Sequence, residues 1–249
     1  MPVFASAPAM LRRIFGRQPK PTLREPPFSI LARSVPLDDF RIVLDVGANI
    51  GKMTRRCLEH FPNARIWSFE PVSETCEVLR RRFADEPRVQ VRQQALGSDQ
   101  STASIEAAGT SVGNMIVGRE EPGGRYERVP VTTGDAFLAE TGLPAVDFLK
   151  IDTEGHDLKV LIGFTAALRR GAIRFLQVEA SMNSTNVRHV PIQDFMGFLE
   201  PLGYHLYRVT GQVLEYDGRG ILRRADLIFW RGLPRHFTDD DAVIPLSGV

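Results

Sequence analysis

Cysteine is scarce in this 249-residue chain, with only 2, Cys57 and Cys76. Two isolated cysteines build neither a disulfide framework nor a zinc site. Cys57 sits at helical spacing from Met53 and Phe61, and Cys76 from Leu79 and Phe83, the pattern of small buried hydrophobes. Unpaired thiols fit a reducing compartment, and a cytoplasmic location is the expectation. Net charge is equally slight, because 31 Lys and Arg face 30 Asp and Glu. That leaves no electrostatic footprint for nucleic acid, and the basic runs at 80–82, 169–170 and 223–224 read as solvated helix or turn faces. No apolar run approaches the roughly 18–20 residues that a spanning helix needs, so no transmembrane segment is expected.

The first residues carry Arg12, Arg13, Arg17, Lys20 and Arg24 among several prolines, without the apolar stretch of a signal peptide. Residues 1–37 are expected to form an arm, partly flexible or lid-like, with a surface or lid helix at 9–15 as a weaker alternative. Residues 38–235 then form one catalytic-size domain and 236–249 a tail. From residue 41 onward, short β-rich apolar runs alternate with helical patterns, which is the signature of βαβ units and a largely parallel sheet. Strands are expected at 42–46, 65–69, 89–93, 127–131, 146–151, 173–178, 204–209 and 226–230, with 213–216 a further strand or hairpin arm. Helices are expected at 52–61, from Ser73, at 135–140, at 157–170 with a break near 163–165, and at 191–202. Ser73 is expected to cap its helix, and Pro191 to occupy a first-turn position. The stretch 98–131 reads as an excursion with hairpin character.

The strongest chemical signal is Asp45-Val46-Gly47-Ala48-Asn49-Ile50-Gly51, between a buried strand and a helix. Glycines there allow a sharp turn and let a ligand lie against the backbone, and ligands of open parallel sheets bind at the carboxyl ends of the strands. The third place from Gly47 is Asn49, so the dinucleotide pattern is broken. Asp45 repels a pyrophosphate and suits a ligand carrying an ammonium and a sulfonium. Glu70 ends the second strand, where a carboxylate can accept both hydroxyl hydrogens of a ribose. Pro71 stops the strand there. Gln94 and Ala95, after the third strand, are candidates for an adenine edge.

At these residues the chain resembles the FkbM family of methyltransferases. The resemblance lies in residues 45–51, in Phe69-Glu70-Pro71, in Ala95-Leu96-Gly97, in the run from Asp147 to His156, and in Gln177-Val178-Glu179. It implies a class I methyltransferase Rossmann-like α/β fold, a mostly parallel seven-stranded sheet with helices on both faces. It also implies S-adenosylmethionine as donor and O-methylation of a small molecule, sugar or natural product. The expected cofactor contacts are Asp45, Gly47, Asn49, Gly51, Glu70, Gln94, Ala95 and Asp152.

An alcohol acceptor must lose a proton, to a general base or through a cation that lowers its pKa. Lys150 and Asp152 share one face of a strand, and Glu179 ends what should be its neighbour. Two schemes follow. In one, His156 or Asp152 takes the proton. In the other, Asp152 and Glu179, with Glu154, hold a hard cation such as Mg²⁺. The catalytic candidates are thus Asp152, His156 and Glu179. Lys150 is expected to pair with a carboxylate, while Glu154 and His156 have helix capping as their alternative role. His60, His189, His205 and His236 are expected to be structural or solvent-facing. The polar run 181–186 and the 109–118 excursion are candidates for acceptor contacts. Competing readings are a nicotinamide-dependent oxidoreductase, a non-catalytic binding module on the same scaffold, and a methyltransferase acting on protein or nucleic acid. A small-molecule or carbohydrate acceptor is the expected partner, and a homodimer is an open alternative for assembly.

Overall fold

The computed structural model describes residues 27–32, 35–106, 115–117, 123–186, 188–215 and 220–231. The expectations for residues 1–26, for most of the 109–118 excursion and for the tail from 236 lie outside the described residues.

Alternation of buried strands and amphipathic helices produces the chain order. Helix α1 (Pro27–Ala32) and a short 3-10 turn (Leu37–Asp39) precede β1 (Ile42–Val46), α2 (Lys52–His60), β2 (Arg65–Phe69), α3 (Ser73–Arg82) and β3 (Val89–Arg92). Next come β4 (Ala95–Leu96), β5 (Ser101–Glu106), β6 (Met115–Val117) and β7 (Tyr126–Thr132). Then follow α4 (Gly134–Thr141), β8 (Val146–Ile151), α5 (Asp157–Ile162), α6 (Thr165–Arg169) and β9 (Ile173–Ser181). Helix α7 (Ile192–Leu199), a 3-10 turn (Glu200–Leu202), β10 (His205–Leu214) and β11 (Leu222–Trp230) complete the fold.

The main sheet has 7 strands in the order β10-β11-β9-β8-β1-β2-β3. β3, β2, β1, β8 and β9 run parallel, and the β10–β11 hairpin pairs antiparallel to β9. The chain leaves β3 at one edge and re-enters as β8 on the other side of β1, so the topological switch point lies between β1 and β8, where ligands of such sheets bind. This is the class I methyltransferase arrangement.

Period-two alternation sends the two faces of each strand into separate cores. Leu44, Val46, Phe69, Leu149, Ile151, Leu176 and Val178 pack under α4, α5, α6 and α7 through Phe137, Val160, Leu161, Leu168, Phe195 and Leu199. On the other face, Val43, Ile66, Phe148, Phe175 and Ile228 meet Phe28 and Leu31 of α1, Phe40, Cys57 of α2 and Phe61. Phe28 stacks edge-on against Phe61 and Phe148, so α1 is an integral layer of the domain. Both cysteines are free and buried.

Three details depart from the sequence reading. The 98–131 excursion is a separate 4-stranded sheet, β4-β7-β5-β6, which captures Ala95-Leu96 as its edge by parallel pairing with β7. β10 runs on past the expected strand to Leu214, with irregular register around Thr210–Val213, so Val213 and Leu214 are its end, while residue 216 lies outside the described residues. Val72, not Ser73, is the N-cap of α3, and Ser73 Oγ donates to Glu127 on β7, tying the second sheet to that helix. Among the described residues, no helix is long and apolar enough to cross a membrane.

Candidate active site

Val46, Gly47, Asn49, Phe69, Glu70, Gln94, Ala95, Asp152, Thr153, Glu154 and His156 surround a pocket at the carboxyl ends of β1, β2, β3 and β8. Ile105 of β5 and Ile116 of β6 close it from the second sheet. Gly47 turns with φ +76°, and its amide and that of Ala48 both donate to the Phe69 carbonyl, at 3.1 and 2.9 Å. A Cβ on Gly47 would lie 1.9 Å from the carbonyl oxygen of Asp152, so only glycine lets the β1 and β8 loops meet.

Asn49, also left-handed with φ +50°, presents its amide to Glu70 Oε2 at 2.9 Å, while the Val72 amide donates to Oε1 at 3.0 Å. Glu70 is 5% exposed, and burial pushes its carboxyl up to about 7 in spite of these two bonds. Each oxygen keeps acceptor capacity toward the pocket. The Gly47 turn, Asn49, Glu70, Gln94, Ala95 and Asp152 therefore come together as expected.

Two expected cofactor contacts do not line the pocket. Asp45 is 0% exposed beneath it, with Oδ2 accepting from Thr54 Oγ1 at 2.7 Å and Oδ1 3.4 Å from Lys150 Nζ. The register explains this, since Asp45 lies directly opposite Lys150 and both side chains share a face inside the sheet. Gly51 caps α2 with φ +81°, and a Cβ there would meet Phe83 at 2.4 Å and Leu79 at 2.7 Å. Its glycine serves helix packing.

The β8 loop carries the remaining candidates. Asp152, its side chain 43% exposed, lines the pocket with Oδ2 3.4 Å from Lys150 Nζ. Glu154 adopts φ +54° and pairs with Arg188 at 2.9 Å. His156 stands at the N-cap of α5 but makes no side-chain cap bond, so the capping alternative fails for it. Burial, then Lys159, hold its ring below the usual imidazole range, which keeps it neutral near pH 7. Asp157, buried beneath the loop, accepts from Thr153 Oγ1 and the Gly155 amide and is pushed up to about 6, by burial first and then by Asp152.

Glu179 lies outside the pocket lining. Its Oε1 contacts Arg224 and its Oε2 the Nε2 of His189 at 2.7 Å. His189 Nδ1 in turn faces Asn186 Oδ1 at 3.1 Å, which binds the loop after β9 back to the strand end. Among the described residues, no three His, Cys, Asp or Glu side chains are grouped to hold a metal ion. Glu179 stands outside the pocket while Asp152 and Glu154 line it beside different cationic partners, so the three are not gathered to hold Mg²⁺. The polar run 181–186 satisfies itself: Ser181 Oγ bonds the carbonyls of Asn183 and Asn186, and both asparagine amides donate to β11 carbonyls. Ile116 falls within the 109–118 excursion that the sequence offered for acceptor contacts, but the sequence reading missed Ile105, because a second sheet folding over the first leaves no local signal, and missed the Glu179–His189 contact, which joins residues from two separate segments.

The profile of the methyltransferase FkbM domain matches residues 45–206, which includes every pocket segment described above. The chain belongs to the FkbM methyltransferase family. Proteins similar to the chain include the hexuronic acid methyltransferase AglP of Haloferax volcanii, 26% identical over 148 residues, which are 59% of this chain and 59% of that protein. The methyltransferase sdnD of Sordaria araneosa is 28% identical over 153 residues, 49% of this chain and 59% of that one. The chain thus spans about three fifths of the length of the curated relatives it matches. Among solved structures, the magnesium protoporphyrin IX methyltransferase of Synechocystis PCC 6803, crystallised with bound SAM, superposes with a TM-score of 0.48 at 12% identity, over 82% of this chain and 75% of that one.

Proposed function

We propose that this FkbM protein transfers a methyl group from S-adenosylmethionine to a hydroxyl of a small molecule or sugar. One observation carries the reading. Among the described residues, the pocket behind the Gly47 turn is lined by three carboxyl side chains, Glu70, Asp152 and Glu154, and by no lysine or arginine. Such a lining favours a cationic ligand and disfavours the pyrophosphate of a dinucleotide. S-adenosylmethionine, when bound, supplies an electrophilic methyl group on a sulfonium. Glu70 has the acceptor capacity for both ribose hydroxyls, and Gln94 and Ala95 form the wall at the adenine edge. Asp152 offers its charge to the cationic part of the ligand. Methyl transfer disperses positive charge, so orientation and exclusion of water by Ile105, Ile116 and Phe69 do much of the work.

His156 takes the proton of the acceptor hydroxyl. Among the described residues it is the one imidazole on the pocket wall, half-buried, and its side chain makes no cap bond to its own helix. The similarity to a hexuronic acid methyltransferase supports a carbohydrate acceptor.

Isothermal titration of the wild type and Glu70→Ala with S-adenosylhomocysteine tests the donor site. Micromolar binding by the wild type, weakened by about 1–3 kcal/mol in the variant, is the expected result for hydrogen bonds lost to a buried charged group. A wild type that ignores S-adenosylhomocysteine but binds NAD would overturn the reading.

A further inference from the structure

Lys150 is 6% exposed, and its ammonium touches three groups at once. Nζ lies 3.4 Å from Asp45 Oδ1, 3.4 Å from Asp152 Oδ2 and 3.3 Å from the carbonyl oxygen of Gly47, to which it donates. Strand register makes this contact set. Lys150 is opposite Asp45 in the β1–β8 pair, and Asp152 follows two residues later on the same face. Burial alone would discharge the amine, but Asp152 and Asp45 outweigh it and keep Lys150 protonated. Behind Asp45 the polar chain continues through Thr54 Oγ1 to Ser68 Oγ at 2.9 Å. It therefore runs from α2 and β2, under the sheet end, to Asp152, and of its three charged groups only Asp152 reaches the pocket.

We infer that Lys150 is a positioning residue of the donor site: it fixes the Gly47 turn and the Asp152 carboxylate relative to one another and cancels the charge of Asp45. The inference rests on the donor reading above. A cationic ligand then meets the Asp152 carboxylate held in one place, with the charge of the buried Asp45 neutralised beneath it. The two tied loops already pass so closely that Gly47 has no room for a side chain, so a small shift of either one deforms the other. A buried cation between them resists that shift more strongly than an apolar contact, because its bonds weaken steeply with distance in a low-dielectric site.

Lys150→Met alone would strand a buried, uncompensated Asp45 and could simply unfold the chain. The informative variants are the pair Asp45→Asn with Lys150→Met, which removes both buried charges at nearly constant volume, and Asp45→Asn alone, which keeps Lys150 on Gly47 and Asp152. S-adenosylhomocysteine affinity by titration and, in the ligand-free protein, amide hydrogen exchange over residues 46–50 are the readouts. The pair is expected to bind roughly tenfold or more weakly, the effect of losing hydrogen bonds to a charged group, and to exchange faster at the turn. Asp45→Asn alone is expected to bind and exchange like the wild type. Wild-type affinity and exchange in the pair would overturn the inference and leave Lys150 a mere counter-charge for Asp45. An equal loss in Asp45→Asn alone would overturn it too, by assigning the effect to Asp45. Failure of the wild type to bind would instead sink the donor reading, while the exchange rates would still report on the tie.

Discussion

Glu70 combines two opposing demands. Burial disfavours its charge, yet the amides of Asn49 and Val72 are aimed at its oxygens, and the balance leaves it near pH 7. A ligand hydroxyl that donates to the carboxylate favours the charged form, so binding must take up less free energy where Glu70 is already ionised. Affinity for S-adenosylhomocysteine is therefore expected to rise as pH increases from about 6 to about 8, and titrations of Glu70→Gln should show a flat profile over that range. The sign for folding is the reverse. The folded pKa lies above the unfolded one, so the contribution of Glu70 to stability is greatest below the unfolded pKa and declines as pH rises toward 7. The two glycines of the turn separate in the same way. Gly47→Ala drives a methyl group into the Asp152 carbonyl and should abolish donor binding as well as lower the melting temperature. Gly51→Ala presses on Phe83 and Leu79 and carries left-handed strain, which costs on the order of 1–3 kcal/mol in denaturant melts. Its S-adenosylhomocysteine affinity should change far less.

Elements place these residues by ending where they do. β1 stops at Val46 because Gly47 turns, β2 stops at Phe69 because Pro71 cannot extend the ladder, and α5 starts only after the left-handed pair Glu154 and Gly155. The loop after β9 is held differently, through side chains. His189 and Arg224 grip the two oxygens of Glu179, and Asn186 bridges His189 to the backbone of Arg223. Glu179→Gln should loosen this loop, read as faster hydrogen exchange over residues 182–190, while donor affinity stays close to that of the wild type. A direct catalytic role for Glu179 would instead appear as lost turnover with unchanged loop exchange.

At the level of the whole molecule, the sheet is a divider between two apolar layers, and the site occupies the one edge where the strand order reverses. The layer under α1 depends on a short segment just ahead of the first strand. Phe28 is 0% exposed against Phe61 and Phe148, and Phe28→Ala is expected to cost about 3–5 kcal/mol in urea melts, as for other buried aromatic truncations. An effect under 1 kcal/mol would mean that α1 is only loosely docked. The second sheet is the other large-scale feature, since it brings Ile105 and Ile116 to the wall of the pocket.

The sequence by itself determined the parallel sheet, the Gly47 turn, Glu70 at the strand end and Asp152 at the next. Each is a local event, a strand of continuous apolar residues followed by a residue that must stop or turn the chain. The pairing of Lys150 with a carboxylate was also legible, from two charges on one face of a buried strand. Only the tertiary structure decided which carboxylate faces the pocket. Asp45 and Asp152 look alike in sequence, but strand register puts one beneath the sheet end against Lys150 and Thr54 and leaves the other at the pocket wall. The same holds for Glu179, whose partners lie 10 and 45 positions away in sequence, at His189 and Arg224, and for Ile105 of the second sheet. Contacts between distant segments depend on how whole elements stack, and no spacing within either segment records that.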